Sequence, residues 1–97
     1  MKEIVYRAPE RVDGVNASKV QQEMVEMVAE QVENGASDLF VVDMESTKYL
    51  SSAGLRALTV VQKKMRAAAG SFVLRNVNDS LRDLLDVTGL SGYLPIE

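Results

Sequence analysis

Cysteine, histidine and tryptophan are all absent from this 97-residue chain. Without thiols there are no disulfides and no sulfur nucleophile. Without imidazole the chain lacks the usual zinc and haem ligand, and the side chain most often used as a general base near neutrality. Aromatic residues make up only 5%, and 11 Lys and Arg face 14 Asp and Glu, a net charge of −3. Neutralising phosphates needs surplus cations and stacking bases needs aromatic platforms, so nucleic acid is not expected as a partner. No apolar run approaches the ~18 residues of a membrane span. The opening Met1–Tyr6 lacks the apolar stretch of a secretory signal, and the expectation is a cytoplasmic protein. The only prolines, Pro9 and Pro95, sit near the ends, and there is no repeat, low-complexity tract or linker. One domain over residues 1–97 is expected. With 46% hydrophobic residues it can close a core without a metal. These absences weigh against an enzyme and against any cofactor.

What is present alternates between strand and helix signals. Ile4–Ala8 forms a short strand limited by Pro9. After a turn at Val12–Val15, Asn16 or Ser18 can cap a helix, and Ser18-x-x-Gln21 has capping-box spacing. Val20, Met24, Met27, Val28 and Val32 recur at helical intervals, with Glu23, Glu26, Glu30 and Glu33 between them, and Asn34-Gly35 stops the run. Leu39–Met44 is almost continuously apolar and suits a strand buried on both faces. A second helix runs from about Ser52 through Leu55, Leu58, Val61 and Met65 to Ala69. From Lys48 to Arg66 there are five basic residues (Lys48, Arg56, Lys63, Lys64, Arg66) and no acidic one. Phe72–Leu74 is a second buried strand. Leu81, Leu84 and Leu85 mark a third helix ending at Gly89, and Leu90–Ile96 holds a candidate last edge strand. The order predicts an α/β fold: a small mixed, mostly parallel sheet of about four strands covered by three to four helices. Met24, Met27 and Met44 are read as core.

The segment Asp43–Leu58 is the informative one. It runs from a buried strand through a loop to Ser51-Ser52 at a helix mouth, where free N–H groups and the helix dipole favour a phosphate. The spacing by itself favours the plainer role, in which Ser51 or Ser52 is only a helix cap. Asp43 reads as a strand-end carboxylate accepting hydrogen bonds from loop N–H groups. A metal held by Asp13 and Asp43 lacks a third ligand. The basic run reads as a solvated face or as one half of a directed field with the acidic first helix. A serine hydrolase built on Ser52 would have only Lys48 as a nearby base, and a lysine base requires burial.

Tyr49-Leu-Ser-Ser-Ala-Gly-Leu-Arg-Ala-Leu58 resembles the signature loop of the STAS domain, the fold of bacterial anti-sigma-factor antagonists. Arg11–Ala17 is similar to that family's entry into its first helix, and Leu84–Leu90 to its third-helix ending. Aligning the family's Gly-Leu on Gly54-Leu55 places its phosphoacceptor on Ser52, with Ser51 as the alternative. Two positions depart from the pattern: Ser51 stands where many members have Asp, and Ala53 where they have Ser or Thr. The family also opens with two strands, and about one fits before Pro9.

The resemblance implies a non-catalytic switch. The unphosphorylated protein would bind an anti-sigma factor or related serine-kinase regulator, whose kinase phosphorylates Ser52. A metal-dependent serine phosphatase would reset it. The partner-binding loop is expected to comprise Tyr49, Leu50, Ser51, Ser52, Ala53, Gly54 and Arg56, with Asp13 and Asp43 supporting it. The alternative is a constitutive STAS scaffold in which Ser51 and Ser52 only cap the helix.

Overall fold

The computed structural model describes residues 2–97. In chain order the elements are strands β1 (Glu3–Arg7) and β2 (Arg11–Val12), helix α1 (Ala17–Met27), strands β3 (Leu39–Asp43) and β4 (Tyr49–Leu50), helix α2 (Ser52–Ala67), strand β5 (Ser71–Arg75) and helix α3 (Asp79–Val87). β1, β3 and β5 form one parallel sheet in the order β1-β3-β5, and β2 pairs with β4 in a second, two-stranded parallel ladder. The expected layered α/β architecture is the one adopted, and every described ladder runs parallel.

The apolar run 39–44 becomes the central strand, flanked on both sides, with Phe40, Val41, Val42 and Asp43 all buried. Side chains alternate across a strand, so Ile4, Phe40, Val42, Phe72 and Leu74 share the face that joins the main core. Val5, Val41 and Val73, in register across the sheet, occupy the opposite face. Phe40 and Phe72 stack in register with centroids 6.3 Å apart. Val20, Met24 and Val28 from the first helical segment meet Leu55, Leu58, Val61 and Met65 from α2 in the same cluster. Met24 and Met44 are fully buried, and Met27 packs part-buried against the core.

The start of α1 differs from expectation. Asn16 occupies the cap position but its side chain makes no capping bond. It instead accepts from the Asp13 N–H at 2.9 Å and donates to the Arg11 carbonyl at 2.7 Å, tying the preceding turn together. Ser18 lies exposed inside the first turn, so no capping box forms. α1 continues as a π-helical turn over Val28–Val32 and stops near Gly35, whose φ of +83° glycine adopts without strain.

The C-terminal edge strand also differs. Leu90–Gly92 is a 3-10 turn after the left-handed Gly89, and only Ile96 bridges Leu74. Pro95 has no N–H to extend a ladder, and the fully buried Leu94 anchors the segment through packing. No helix among the described residues is long and apolar enough to cross a membrane.

Candidate functional site

The β2–β4 ladder builds the site. Arg11 pairs with Tyr49 and Val12 with Leu50, both chains running the same way. The Glu10 carbonyl accepts from the N–H groups of Lys48 (2.8 Å) and Tyr49 (3.2 Å), and the Val12 carbonyl from Ser51 N–H at 2.9 Å. Because the strands are parallel, the turn after Val12 and the serines after Leu50 emerge side by side at one end.

Asp13 organises that turn. Its carboxylate accepts from the N–H groups of Val15 (2.9 Å) and Asn16 (3.4 Å) and pairs with Arg11 at 3.4 Å. The Val15 N–H is the main reason this carboxyl is held below the ordinary aspartate range, with Asn16 N–H and Arg11 adding to it. The same Arg11 guanidinium lies over the Tyr49 ring, 4.5 Å from its centroid. Asp13 thus reaches the loop through Arg11.

The two adjacent serines have different surroundings. Ser51 is the N-cap of α2, with extended backbone, and its hydroxyl accepts from Gly54 N–H at 3.2 Å. Ser52 is the first helical residue, is exposed, and forms no side-chain hydrogen bond among the described residues. Arg56, also exposed, follows Ser52 by four residues and so shares its face of α2. Tyr49 is 44% exposed and Val15 94% exposed. These residues give the end of the ladder an apolar component beside the exposed hydroxyl. Leu50 and Gly54, by contrast, are buried and shape the loop from beneath. Ala53 is half-buried against the core.

Asp43 does not touch the serines. Its Oδ1 accepts from Asn76 Nδ2 (3.1 Å) and from Glu45 N–H (3.0 Å), and Arg7 stands 3.6 Å from Oδ2. The Asn76 bond, then the Glu45 N–H, holds this carboxyl below its usual range, with the charges of Arg7 and Arg75 contributing less. Asp43 therefore fixes the turn leaving β3, upstream of the loop. No three acidic side chains gather as a metal site among the described residues.

Several supporting residues escaped the sequence reading. Thr47 is fully buried and donates to the Pro9 carbonyl at 2.8 Å. Asn78 caps α3 by accepting from Leu81 N–H at 2.9 Å while donating to the Thr47 carbonyl at 3.1 Å. Asn78 carried a recognisable signal, an Asn just before a helix. Thr47 carried none, because its partners lie 38 and 39 positions away. The basic side chains at 48, 56, 63, 64 and 66 are all exposed, as are Glu23, Glu26, Glu30 and Glu33 on the first helical segment.

The family model of the STAS domain matches residues 2–97. A relative from Bordetella bronchiseptica, BtrV, whose name assigns it provisionally to the anti-sigma factor antagonists, is 32% identical over 82 residues. That match covers 84% of this chain and 69% of the relative. The fold resembles that of SpoIIAA, an anti-sigma factor antagonist, in its unphosphorylated form (TM-score 0.78, 17% identity), across 99% of this chain and 80% of that one. It also resembles the phosphorylated form of SpoIIAA from Bacillus (TM-score 0.70, 17% identity), across 98% of this chain and 82% of that one. Taken with the loop at Tyr49–Leu58, these matches place the chain in the STAS domain family, among the anti-sigma factor antagonists.

Proposed function

We propose that this chain binds an anti-sigma factor with serine-kinase activity through the Ser52 end of the β2–β4 ladder, and that phosphorylation of Ser52 releases it. Family membership makes the chain a non-catalytic regulatory module of the partner-switching kind. The choice of Ser52 rests on one observation: its hydroxyl is exposed and uncommitted, whereas the Ser51 hydroxyl already serves as the helix cap. SpoIIAA, a structural relative, exists in a phosphorylated form, which supports a covalent switch on this fold.

The chemistry at Ser52 is that of a kinase substrate. The Ser52 oxygen attacks the γ-phosphorus of ATP, ADP leaves, and the hydroxyl proton passes to a base of the kinase. Hydrolysis by a metal-dependent serine phosphatase returns the free hydroxyl and inorganic phosphate. A phosphate on the first residue of α2 is favoured by the helix dipole and lies one turn from Arg56. The modified domain accordingly keeps its fold and changes its surface. Adding ~1.5 to 2 negative charges inside an interface imposes desolvation and repulsion. A penalty of ~3 kcal/mol weakens binding by more than a hundredfold.

The test is phosphopeptide mapping of the native protein across growth and stress conditions, with a phosphatase-treated control. Removable phosphate on Ser52 supports the switch, and phosphate on Ser51 moves its centre by one residue. Consistent absence leaves a constitutive scaffold. In partner titrations Ser52→Ala should bind tightly and Ser52→Asp weakly; equal affinities would rule Ser52 out.

A further inference from the structure

We infer that two copies of this chain associate through β1, pairing antiparallel about a two-fold axis at Val5 to continue the sheet from one copy into the other. β1 stands at the end of the order β1-β3-β5, and among the described residues its outer edge has no strand beside it. The carbonyl of Lys2 accepts from Leu39 N–H, and Ala8 N–H donates to the Asp43 carbonyl at 2.9 Å. Main-chain groups of even-numbered residues therefore turn inward to β3, and those of Glu3, Val5 and Arg7 turn outward.

The side chains on that outward set are self-complementary. In the strand Glu3-Ile4-Val5-Tyr6-Arg7, antiparallel pairing centred on Val5 sets Glu3 opposite Arg7 of the second copy, Ile4 opposite Tyr6, and Val5 opposite Val5. All three odd positions then fall at pairs that exchange both main-chain bonds. Opposite charges directly across a ladder attract and like charges repel. A parallel pairing would put Glu3 on Glu3 and Arg7 on Arg7, and a slip of two residues would lose both ion pairs. The pattern selects one orientation and one register.

The residues concerned are available. Val5 is 43% exposed, and across the sheet it continues the apolar row of Val41 and Val73. The Arg7 side chain is 71% exposed at 3.6 Å from Asp43, and Glu3 is 44% exposed at 3.3 Å from Arg75. In each pair the inner partner, Asp43 or Arg75, is largely buried, while Arg7 and Glu3 are the open members and keep part of their charged heads free for a second partner. Edge strands usually carry devices that block such pairing: an inward charge, a proline or a bulge. Here Pro9 lies beyond the strand, and the two charges that flank Val5 reinforce self-pairing.

Sedimentation velocity on the full chain, from micromolar to millimolar concentration, tests this. The wild type should shift from monomer to dimer, and the Val5 and Arg7 amides should become protected from hydrogen exchange as concentration rises. Glu3→Arg and Arg7→Glu should each weaken self-association about tenfold or more, by placing like charges across the seam. An equimolar mixture of these two variants should form a heterodimer, because every charge at the seam then meets its opposite. A monomeric wild type at all concentrations, or a mixture that associates no better than either variant alone, would overturn the inference. Should a single variant lose its far-UV signal, the double variant Glu3→Arg/Arg7→Glu carries the same test, since it restores complementarity within one chain.

Discussion

The Val12 carbonyl oxygen lies only 2.6 Å from the place a Cβ on Gly54 would occupy, so strand β2 and the first turn of α2 meet main chain to main chain. The first turn of α2 carries Ser52, and β2 leads into the Asp13 turn, so this contact sets how the two halves of the site stand together. Gly54→Ala must push the helix away from a rigid backbone atom and is expected to destabilise the domain by ~1 to 3 kcal/mol. Gly14→Ala is the control: it has open space around the added Cβ and should stay within ~0.5 kcal/mol of wild type. Urea unfolding of the two variants reads the difference.

Ser51 and Ser52 should separate in a stability measurement that involves no partner. Ser51→Ala removes the hydroxyl that accepts from Gly54 N–H and should cost about 1 kcal/mol, the usual loss of a helix cap. Ser52→Ala removes an exposed hydroxyl with no bond to lose, and its denaturation midpoint should lie close to wild type. Equal losses in both variants would remove the structural distinction on which the choice of Ser52 rests.

Asp43 predicts a defined response to acid. Its carboxyl is depressed in the folded state, chiefly by the Asn76 bond, below the ~3.9 of an unfolded aspartate. The stability it supplies is complete above that unfolded value and is lost as pH falls through the lower folded one. Asp43→Asn keeps an oxygen for the Asn76 and Glu45 donors but cannot ionise. Its stability deficit should be present near neutrality and should close below about pH 4. A deficit independent of pH in urea titrations would assign the role to shape alone.

The sequence made legible whatever depends on short-range pattern. The unbroken apolar run at 39–44 announced a central strand because a strand buried on both faces cannot alternate. The run from Leu55 to Met65 announced α2 by its period, and the loop at Tyr49–Leu58 announced the family. What stayed hidden depends on partners distant in sequence. A two-residue ladder such as β2–β4 has no periodicity to detect, and it forms because Glu10 and Val12 offer carbonyls to a segment almost forty positions later. Asn16 looked like a helix cap, and its residue type was right for one. The nearby Asp13 N–H and Arg11 carbonyl compete for its amide and win. Asn76 adopts a φ of +60°, a conformation asparagine tolerates, but the sequence does not reveal that its amide is aimed at Asp43.

Thr47 offers the sharpest test of how the loop is held. Its hydroxyl, fully buried, donates to the Pro9 carbonyl at 2.8 Å, a carbonyl in the segment that leads into β2. One residue on in each segment, Lys48 N–H meets the Glu10 carbonyl and the β2–β4 ladder begins. Thr47→Val keeps the volume and leaves that carbonyl without its donor, a loss of ~1 to 2 kcal/mol. Thr47→Ser keeps the donor and loses one buried methyl, worth about 1 kcal/mol. The two variants can therefore be similar in global stability, and amide exchange at Lys48 and Tyr49 distinguishes them. Exchange there should quicken in Thr47→Val and hold in Thr47→Ser once each rate is corrected for global unfolding. Equal exchange in both variants would mean that the ladder stands without the hydroxyl, leaving Val12, Leu50 and the Gly54 contact to set the loop by packing.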